Sequence, residues 1–514
     1  MEERTKPIAI FMAFGTKGDV YPIAAIAAAF ACDQRQYSVS LITHSAQENL
    51  GHHLAEKHVA YYPISSPPVL SADQNNETTA GSASLESSFS VQKRTVTREH
   101  RRECSSLVQR IFGCGPILEG DFVVINFFAL EGWSLAEVFR VRCIVAAPYV
   151  VPYSAPSSFE RQFRKELPLL YRYLQEAPTQ KLCWKDVIHW MWPLFTESWG
   201  SWRYDDLNLS PVPLTDPVTG LPTWHDRPPS PLVLYGFSKE VVEYPDYWPS
   251  TARVCGFWFL PMEWQFSCKK CCESSALVSS GHLQRRDELC SAHLVLQTFL
   301  KSMPTPPIFV GLSSVGSMGF MKNPQAFLHV LQTVIEITSY RYILFTAGFE
   351  PLDAAIRMIT VEVSSCLSQR QLSEDCISLF NCQLLCFTGS MPYKWLFPKC
   401  LAAIHHGGSG VTAAALHAGI PQVVCPFILD QFYWAERMFW LGVAPEPLKR
   451  NHLLPDKDDD KSINEAATVL SRAIATALSP EVKACAVEVA ERLSLENGVL
   501  EAVKNLKEEM SCPH

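Results

Sequence analysis

Short apolar runs alternate with small-residue or amphipathic stretches along most of this chain. Near the N-terminus the pattern predicts a strand over Ile8–Phe14, an alanine-rich helix that ends near Cys32, and a second strand over Ser38–Thr43. Continuous apolar runs are typical of strands that are buried on both faces of a parallel sheet. Strands that alternate with helices in this way predict an α/β, doubly wound fold.

The same alternation returns in the second half of the chain. Ile308–Leu312, Tyr342–Ala347 and Leu384–Phe387 have the composition of buried strands, and the chain finishes with helical patterns. With 514 residues, the chain is too long for one ordinary hydrophobic core. The sequence therefore predicts two doubly wound, Rossmann-like domains that face each other across a cleft.

Changes in composition suggest where these domains begin and end. We predict a first domain over residues 1–260, a linker over 261–304 and a second domain over 305–480. A terminal helix over 481–514 is expected to pack back on the first domain. Residues 65–103 are rich in Ser, Asn, Thr and Pro and then basic, without an apolar period, and they predict a mobile loop.

Charge and hydropathy limit the class of protein. The net charge is −8, and the basic residues are not gathered into a stripe, which argues against nucleic acid as a partner. The N-terminus lacks the basic start and apolar stretch of a secretory signal, and no apolar run is long enough to span a membrane. We expect a monomeric cytoplasmic enzyme. Five tryptophans over 184–202 fit core packing, a flat apolar pocket or a peripheral membrane contact.

The 18 cysteines are spread along the chain, and most of them have the setting of buried small apolar residues in a reducing compartment. Four residues stand apart, because Cys268, Cys271, Cys290 and His293 form the pattern C-x2-C-x18-C-x2-H. This spacing resembles that of a Cys3His zinc site. The alternative is a polar linker with incidental cysteines, in which Cys290 and His293 lie on a helix that continues through Leu300.

The segment Ala403–Gln431 carries the strongest chemical signal. A short strand ends in His405 and His406, a Gly-Gly-Ser-Gly turn opens a small-residue helix, and a second buried strand leads to Asp430 and Gln431. Glycines let the backbone approach a ligand closely, and a helix start attracts an anion. An acid and an amide beyond the next strand can hydrogen-bond neighbouring sugar hydroxyls. The segment therefore predicts a site for a sugar diphosphate.

A second glycine turn, G-T-K-G-D-V-Y-P, follows the first strand and places Asp19 where the next helix begins. An acid in this position commonly caps its own helix. It can also accept a proton from a bound hydroxyl, as a general base does. His44, at the end of the second strand, is the next candidate for that role.

With H-H-G-G-S-G-V-T-A-A-A-L-H-A-G-I-P-Q and P-F-I-L-D-Q-F-Y-W-A-E-R, this turn resembles the UDP-dependent glycosyltransferase family 1 of GT-B fold, and within it the sterol 3-beta-glucosyltransferase branch. The resemblance implies inverting transfer of a hexose, glucose in the first instance, from a UDP-sugar to a hydroxyl of a sterol or similar lipophilic acceptor. The UDP-sugar would be a co-substrate, and no metal ion would be required. The first domain would bind the acceptor and the second the donor.

The resemblance also assigns roles to residues. Asp19 would be the general base, His405 would contact the diphosphate, and Asp430 with Gln431 would hold the glucose hydroxyls. The other donor-binding positions implied by the family are Gly15, Thr16, Ser314, Tyr393, Trp395, His406, Gly408, Ser409, Gly410 and Val411.

The sequence departs from the family at three positions, where Lys17 replaces an arginine, Ser313 a glycine and Tyr393 a histidine. Two alternatives stay open: the same chemistry on a triterpenoid or phenolic acceptor, and a GT-B module that binds a nucleotide sugar without catalysis. A dinucleotide-dependent oxidoreductase is disfavoured, since neither glycine turn has G-x-G-x-x-G spacing.

Overall fold

A computed structural model describes residues 4–68, 82–113, 115–150, 155–156, 158–178, 181–195, 197–223, 232–243, 248–249, 251–266, 268–279, 290–312, 315–362, 370–373 and 375–511. The chain forms two compact units. Unit 1 contains the chain up to Phe259 together with the residues from Asn497 onward, and unit 2 is Leu260–Glu496.

Unit 1 is built on a seven-stranded parallel sheet. Its strands are β1 (Ile8–Met12), β2 (Ser38–His44), β3 (Val59–Ile64), β4 (Phe122–Ile125), β5 (Arg142–Ala147), β6 (Val233–Tyr235) and β7 (Ala252–Val254). They lie in the order β3-β2-β1-β4-β5-β6-β7. The chain direction across the sheet therefore reverses between β1 and β4, and ligands of open α/β sheets bind at the carboxyl edge beside such a reversal.

The helices of unit 1 include one from the far end of the chain. They are α1 (Lys17–Asp33), α2 (Leu50–Glu56), α3 (Ser82–Phe112), α4 (Glu131–Phe139), α5 (Phe159–Glu166), α6 (Pro168–Gln175), α7 (Trp184–Asp186), α8 (Glu197–Asp205) and α18 (Gly498–Ser511). Helix α18 packs on α1, where Lys507 Nζ lies 2.9 Å from Asp33 Oδ2. Gly498 is required at its start, because a Cβ there would lie 2.4 Å from the Phe257 carbonyl oxygen.

Unit 2 has a second seven-stranded sheet. Its strands are β8 (Ile308–Gly311), β9 (Tyr342–Phe345), β10 (Arg370–Ser373), β11 (Cys376–Leu379), β12 (Leu384–Phe387), β13 (Ala403–His405) and β14 (Gln422–Val424). They lie in the order β10-β11-β12-β9-β8-β13-β14, parallel except at the β10 and β11 edge. The reversal here falls between β8 and β13, where His405 pairs with Gly311. The prediction of a doubly wound α/β fold is thus confirmed for both sheets.

The helices of unit 2 cover both faces of this sheet and close its core. They are α9 (Lys269–Ser279), α10 (Leu294–Lys301), α11 (Pro324–Thr338), α12 (Glu350–Glu362), α13 (Tyr393–Leu396), α14 (Ser409–Ala418), α15 (Gln431–Trp440), α16 (Asp460–Ala477) and α17 (Pro480–Leu493). In the part of the chain that the structure describes, no helix has both the length and the apolar character needed to cross a membrane.

The predicted mobile loop over 65–103 is wrong from Ser82 onward, because these residues belong to α3. Residues 69–81 lie outside the described part of the chain. The buried stripe of α3 consists of Arg101, Cys104, Val108 and Phe112, spaced three and four residues apart. Since this stripe begins with a charged residue and lies largely beyond residue 103, no apolar period shows within the predicted loop.

Two further differences concern the ends of unit 2. The predicted linker over 261–304 contains α9, a 3₁₀ turn at Ser291–His293 and α10, all within unit 2. The single terminal helix predicted over 481–514 is two helices, α17 and α18. The break falls where Asn497 Oδ1 accepts the Leu500 N–H at 3.2 Å, a capping bond that starts a new helix.

Candidate active site

Asp19 lies in the first turn of α1, immediately after the glycine turn that follows β1. Its Oδ2 accepts hydrogen bonds from the Thr16 backbone N–H at 2.7 Å and from Thr16 Oγ1 at 2.8 Å. The helix-capping interpretation is therefore confirmed for this oxygen. The other oxygen, Oδ1, has no hydrogen-bond partner among the described residues, so one side of the carboxylate stays available.

Burial raises the pKa of Asp19 to about 6, against the opposing effect of the Thr16 hydrogen bonds. Gly15 makes this close approach to the turn feasible. Its φ is +105°, and a Cβ at this position would lie 2.6 Å from Asp19 Oδ2. The arrangement suits a proton acceptor, because the carboxylate is ionised at neutral pH and more basic than an ordinary aspartate.

The base loop, residues 13–19, is held from behind by Asn126, which follows β4 and is fully buried. Its Oδ1 accepts the Phe14 N–H at 3.2 Å, and its Nδ2 donates to the Phe14 carbonyl at 2.8 Å and to the Asp19 carbonyl at 3.3 Å. Asn126 thus fixes the backbone of Asp19 across the reversal between β1 and β4. Asn126 was not among the predicted site residues, although its place directly after a buried strand is a usable signal.

His44 is engaged on both sides of its ring. Its Nε2 accepts the Gly15 N–H at 3.2 Å, which leaves the ring proton on Nδ1, 2.7 Å from the Ser66 carbonyl oxygen. Burial lowers the pKa of His44 to about 4. The ring therefore supports the base loop, and in this arrangement it has no free nitrogen with which to accept a substrate proton.

A buried polar network continues from His44 into α3. Ser66 Oγ lies 2.7 Å from His100 Nδ1, and His100 Nε2 lies 3.8 Å from Glu131 Oε2, which also lies near Arg101. The histidine and arginine hold the pKa of Glu131 below its usual value, although burial alone would raise it. This network was not predicted, because residues 65–103 were expected to form a mobile loop, whereas α3 begins at Ser82.

In unit 2, His405 ends β13 and is fully buried. Its Nδ1 accepts the Gly407 N–H at 3.0 Å, so the ring proton is on Nε2, which lies 2.8 Å from Gln422 Oε1. Burial lowers the pKa of His405 to about 3, and the imidazole is neutral. Both nitrogens are thus used inside unit 2, and the predicted contact of His405 with a diphosphate stays a prediction.

The turn after β13 is tightly constrained. Gly407 has a φ of +83°, and a Cβ there would lie 2.9 Å from Val424 Cγ1 and 3.0 Å from the Gln431 carbonyl oxygen. At Gly408 a Cβ would lie 2.5 Å from His406 Nε2. Burial lowers the pKa of His406 to about 4, against the effect of a hydrogen bond with the Gly311 backbone. The glycines therefore allow the backbone to fold closely around two neutral histidines.

This turn delivers the start of α14 to the carboxyl edge of the sheet. The Thr412 N–H donates to the Gly408 carbonyl at 3.0 Å, which is the first bond of the helix ladder. The backbone N–H groups of Ser409, Gly410 and Val411 consequently precede the ladder and have no acceptor within the helix. Gly410 faces open space, with no atom within 4 Å of a Cβ position. N–H groups in this position are of the kind that binds phosphate, and the predicted donor contacts of Ser409, Gly410 and Val411 stay predictions.

Asp430 and Gln431 lie where β14 leads into α15. Asp430 Oδ2 accepts the Trp434 Nε1–H at 2.9 Å, and Gln431 Oε1 accepts the Phe427 and Ile428 N–H groups at 2.9 and 3.2 Å. These bonds fix both side chains. Leu429, which directly precedes Asp430, adopts a φ of +51°. This left-handed conformation is uncommon for leucine and is found in strained functional loops.

The two aromatic residues among the predicted donor-binding positions, Tyr393 and Trp395, are packed within unit 2. Tyr393 stacks on Phe397 at a ring separation of 4.8 Å, and Lys399 Nζ lies 4.1 Å from the centre of the buried Trp395 ring. Tyr393 is half-buried. Ser314, which is also a predicted donor-binding position, and its neighbour Ser313 lie outside the described residues.

The tryptophan-rich segment serves mainly as core. Trp184, Trp190 and Trp202 are buried, and Trp190 packs 5.4 Å from Trp133. Trp199 lies under the Arg101 guanidinium at 4.2 Å. Core packing therefore accounts for three of the five tryptophans, and Trp192 and Trp199 are half-buried.

Similarity to known proteins extends over nearly the whole chain. A family model described as "Erythromycin biosynthesis protein CIII-like, C-terminal domain" matches residues 381–496, which include β13, α14 and α15. The Arabidopsis thaliana sterol 3-beta-glucosyltransferase UGT80B1 is 24% identical over 97% of this chain and 68% of its own length. A sterol 3-beta-glucosyltransferase from Debaryomyces hansenii is 24% identical over 97% of this chain. The chain is homologous to the sterol 3-beta-glucosyltransferases.

These relatives confirm the family resemblance of the motifs. The chain spans 68% of the length of the plant protein and 26% of the length of the Debaryomyces hansenii protein. Among solved structures, the calicheamicin glycosyltransferase CalG4 superposes with a TM-score of 0.57 at 15% identity, covering 99% of this chain and 100% of that one. This glycosyltransferase homologue therefore has the GT-B fold.

Proposed function

We propose that the chain transfers glucose, or a related hexose, from a UDP-sugar to a hydroxyl of a sterol or similar lipophilic alcohol, with inversion at the anomeric carbon. The relatives that align with 97% of the chain are named for sterol glucosylation. The observation that carries the proposal is the Asp19 carboxylate, which keeps one oxygen without a partner at the carboxyl edge of a parallel sheet while burial raises its pKa.

Asp19 Oδ1 accepts the proton of the acceptor hydroxyl, and the acceptor oxygen attacks the anomeric carbon from the face opposite UDP. The bond between that carbon and the phosphate oxygen breaks, and UDP leaves with the electron pair. A positioned general base contributes about 10²–10⁴-fold in rate. A pKa of about 6 keeps Asp19 ionised at neutral pH and makes it a better acceptor than an exposed aspartate.

The negative charge that develops on UDP is stabilised by the N–H groups of Ser409, Gly410 and Val411 at the start of α14. We propose that this preorganised anion site takes the place of a metal ion, so the transfer needs none. His405 acts as a positioning residue, because its Nδ1 holds the Gly407 N–H and thereby the turn. The fixed side chains of Asp430 and Gln431 bind the glucose hydroxyls.

The test is a direct assay of transfer. The full chain is incubated with UDP-glucose and, separately, with a sterol, a triterpenoid alcohol and a phenol, each supplied in detergent and in vesicles. We expect UDP release and a glucoside with the sterol, and the anomeric proton coupling of the product should indicate the β-configuration. UDP-galactose in place of UDP-glucose tests the donor.

Three outcomes would change the proposal. Transfer to the triterpenoid or phenol alone would retain the chemistry and replace the acceptor class. An α-linked product would contradict single displacement. Binding of UDP-glucose in calorimetry without transfer to any acceptor would show a non-catalytic nucleotide-sugar module.

A further inference from the structure

We propose that Cys268, Cys271, Cys290 and His293 form a closed structural zinc site in unit 2. Three sulfur atoms and one imidazole nitrogen from these residues all lie within 4.8 Å of one another. Sulfur and imidazole are the ligands that zinc prefers, and four protein ligands without an open position are typical of structural sites. None of the four residues belongs to the proposed donor or acceptor contacts, so the inference is independent of the proposed function.

The distances match those of a tetrahedral site. Cys268 Sγ lies 3.6 Å from Cys290 Sγ, and His293 Nδ1 lies 3.4 Å from both Cys271 Sγ and Cys290 Sγ. Zinc–sulfur bonds of about 2.3 Å and zinc–nitrogen bonds of about 2.0–2.1 Å at tetrahedral angles require separations of roughly 3.8 Å and 3.6 Å. Shifts of a few tenths of an ångström would therefore bring these contacts to the geometry of bound zinc.

The backbone presents the ligands in two similar turns. The Cys272 N–H donates to the Cys268 carbonyl at the start of α9, and the His293 N–H donates to the Cys290 carbonyl, both at 2.9 Å. Each turn therefore places its two ligands, which are three residues apart, on the same side of the backbone. The Cys290 N–H also donates to Cys271 Sγ at 3.5 Å. A hydrogen bond from a backbone N–H to the sulfur of a metal-bound cysteine stabilises the thiolate.

A disulfide or an incidental group of cysteines fits these contacts less well than a metal site does. A disulfide between Cys268 and Cys290 requires a sulfur–sulfur distance of about 2.0 Å, and no disulfide joins these cysteines. Incidental cysteines of a polar linker would not converge on one point, yet Cys271 and His293 are each only 3% exposed and come from turns 22 residues apart. In the described residues one other group could hold a metal, His52, His53 and Glu56, and it lies at the surface on α2.

A metal ion at this point would link separate parts of unit 2. Cys268 and Cys271 belong to the start of α9, whereas Cys290 and His293 lead into α10, and the His293 ring packs 5.9 Å from Phe387 on β12. The ion would therefore fasten α9 to the turn that rests on the sheet of unit 2. Binding energy of such sites contributes directly to folding.

The experiment measures zinc in the full chain, purified without a polyhistidine tag and dialysed against a weak chelator. We expect about one zinc per chain, as a closed four-ligand site retains its ion. The Cys271→Ser/Cys290→Ser variant should lose it. Cys32→Ser/Cys382→Ser, which removes two exposed cysteines, and His52→Ala/His53→Ala, which removes the surface group, should both keep it.

Cobalt(II) reconstitution of the unaltered chain makes the test independent of whether the cysteine variant folds. Intense thiolate-to-cobalt and tetrahedral bands would support the site. A folded chain that retains no zinc, a cobalt spectrum typical of octahedral oxygen ligation, or zinc loss in the surface-histidine variant would overturn the proposal. A Cys268–Cys290 disulfide found by mass spectrometry under non-reducing conditions would overturn it as well.

Discussion

The loop after β1 in unit 1 and the loop after β13 in unit 2 both adjoin the point of reversal of their sheets, but on opposite sides of it, since β1 corresponds to β8 and β13 to β4. Each follows a buried strand beside the point of reversal and opens a helix with a glycine at positive φ, Gly15 in one and Gly407 in the other. They differ in their polar side chain. Asp19 keeps one carboxylate oxygen open, whereas His405 has both ring nitrogens bonded within the protein.

The same kind of glycine turn therefore exposes different groups in the two units. In unit 1 the side chain is available for chemistry, and Asn126 and His44 fix the backbone behind it. In unit 2 the side chain fixes the backbone, and the available groups are the N–H groups at the start of α14. A proton acceptor needs a titratable side chain, whereas a diphosphate site needs only preorganised donors.

The largest effect should follow removal of the base. We expect Asp19→Asn to lower kcat by about 10²–10⁴-fold, since the amide keeps the shape of the side chain but cannot accept the proton. The measurement is kcat for glucoside formation at saturating UDP-glucose. Asp33→Asn, at the exposed far end of α1, is the matched control and should keep full activity. Full turnover by a well-folded Asp19→Asn protein would refute the assignment.

The pH dependence should be the second largest effect. Because the base must be ionised, kcat/KM should fall about tenfold per pH unit below about 6 and level off near neutrality. The residual activity of Asp19→Asn should lack this limb. A wild-type profile that stays flat from pH 7 to about pH 5 would contradict a base with the raised pKa of Asp19.

The raised pKa of Asp19 also has a consequence for stability. A carboxyl group whose pKa is higher in the folded state favours folding below its ordinary pKa of 3.8, and this contribution is lost as the pH rises through about 6. Denaturant unfolding should therefore show the stability of Asp19→Asn, relative to wild type, increasing between about pH 4 and pH 7. A constant difference would mean that Asp19 is not desolvated.

Much of the structure around these two loops could be predicted from the sequence. The apolar runs identify the main strands, and the glycine turns identify both loops, because a tight turn after a buried strand needs particular residue types. The environment of Asp19 was predictable only in part. Its position in the first helical turn indicates a cap, but the sequence does not show that only one oxygen is used.

The role of His405 depends on long-range contacts that no local pattern reveals. Its partner Gln422 lies 17 residues away and reaches it because Ala403 pairs with Gln422 across β13 and β14. Side chains two residues apart on a strand share a face, so His405 and Gln422 meet on one side of the sheet. Helix α3 was missed for a related reason, since the partners of His100 and Arg101 lie on other elements.

The glycine of the second loop can be tested with a matched pair. Gly407→Ala would force alanine into a φ of +83° with its Cβ 2.9 Å from Val424, and we expect a loss of about 2–4 kcal/mol in the free energy of unfolding together with weaker UDP binding. Gly410→Ala, three residues on, meets nothing within 4 Å and should change the stability by less than about 0.5 kcal/mol. Equal losses would show that the turn is not the constraint.

The smallest effect separates the two possible roles of His405. A positioning role predicts that His405→Ala raises the KM for UDP-glucose about tenfold, which is the value of one buried hydrogen-bond arrangement, about 1–3 kcal/mol. The pH profile should be unchanged, because burial keeps the ring neutral, with a pKa of about 3. If the imidazole instead donated a proton to the departing UDP, kcat would fall more than KM rises. The loss of kcat would then be greatest with a poor leaving group, and His405 would join Asp19 as a catalytic residue.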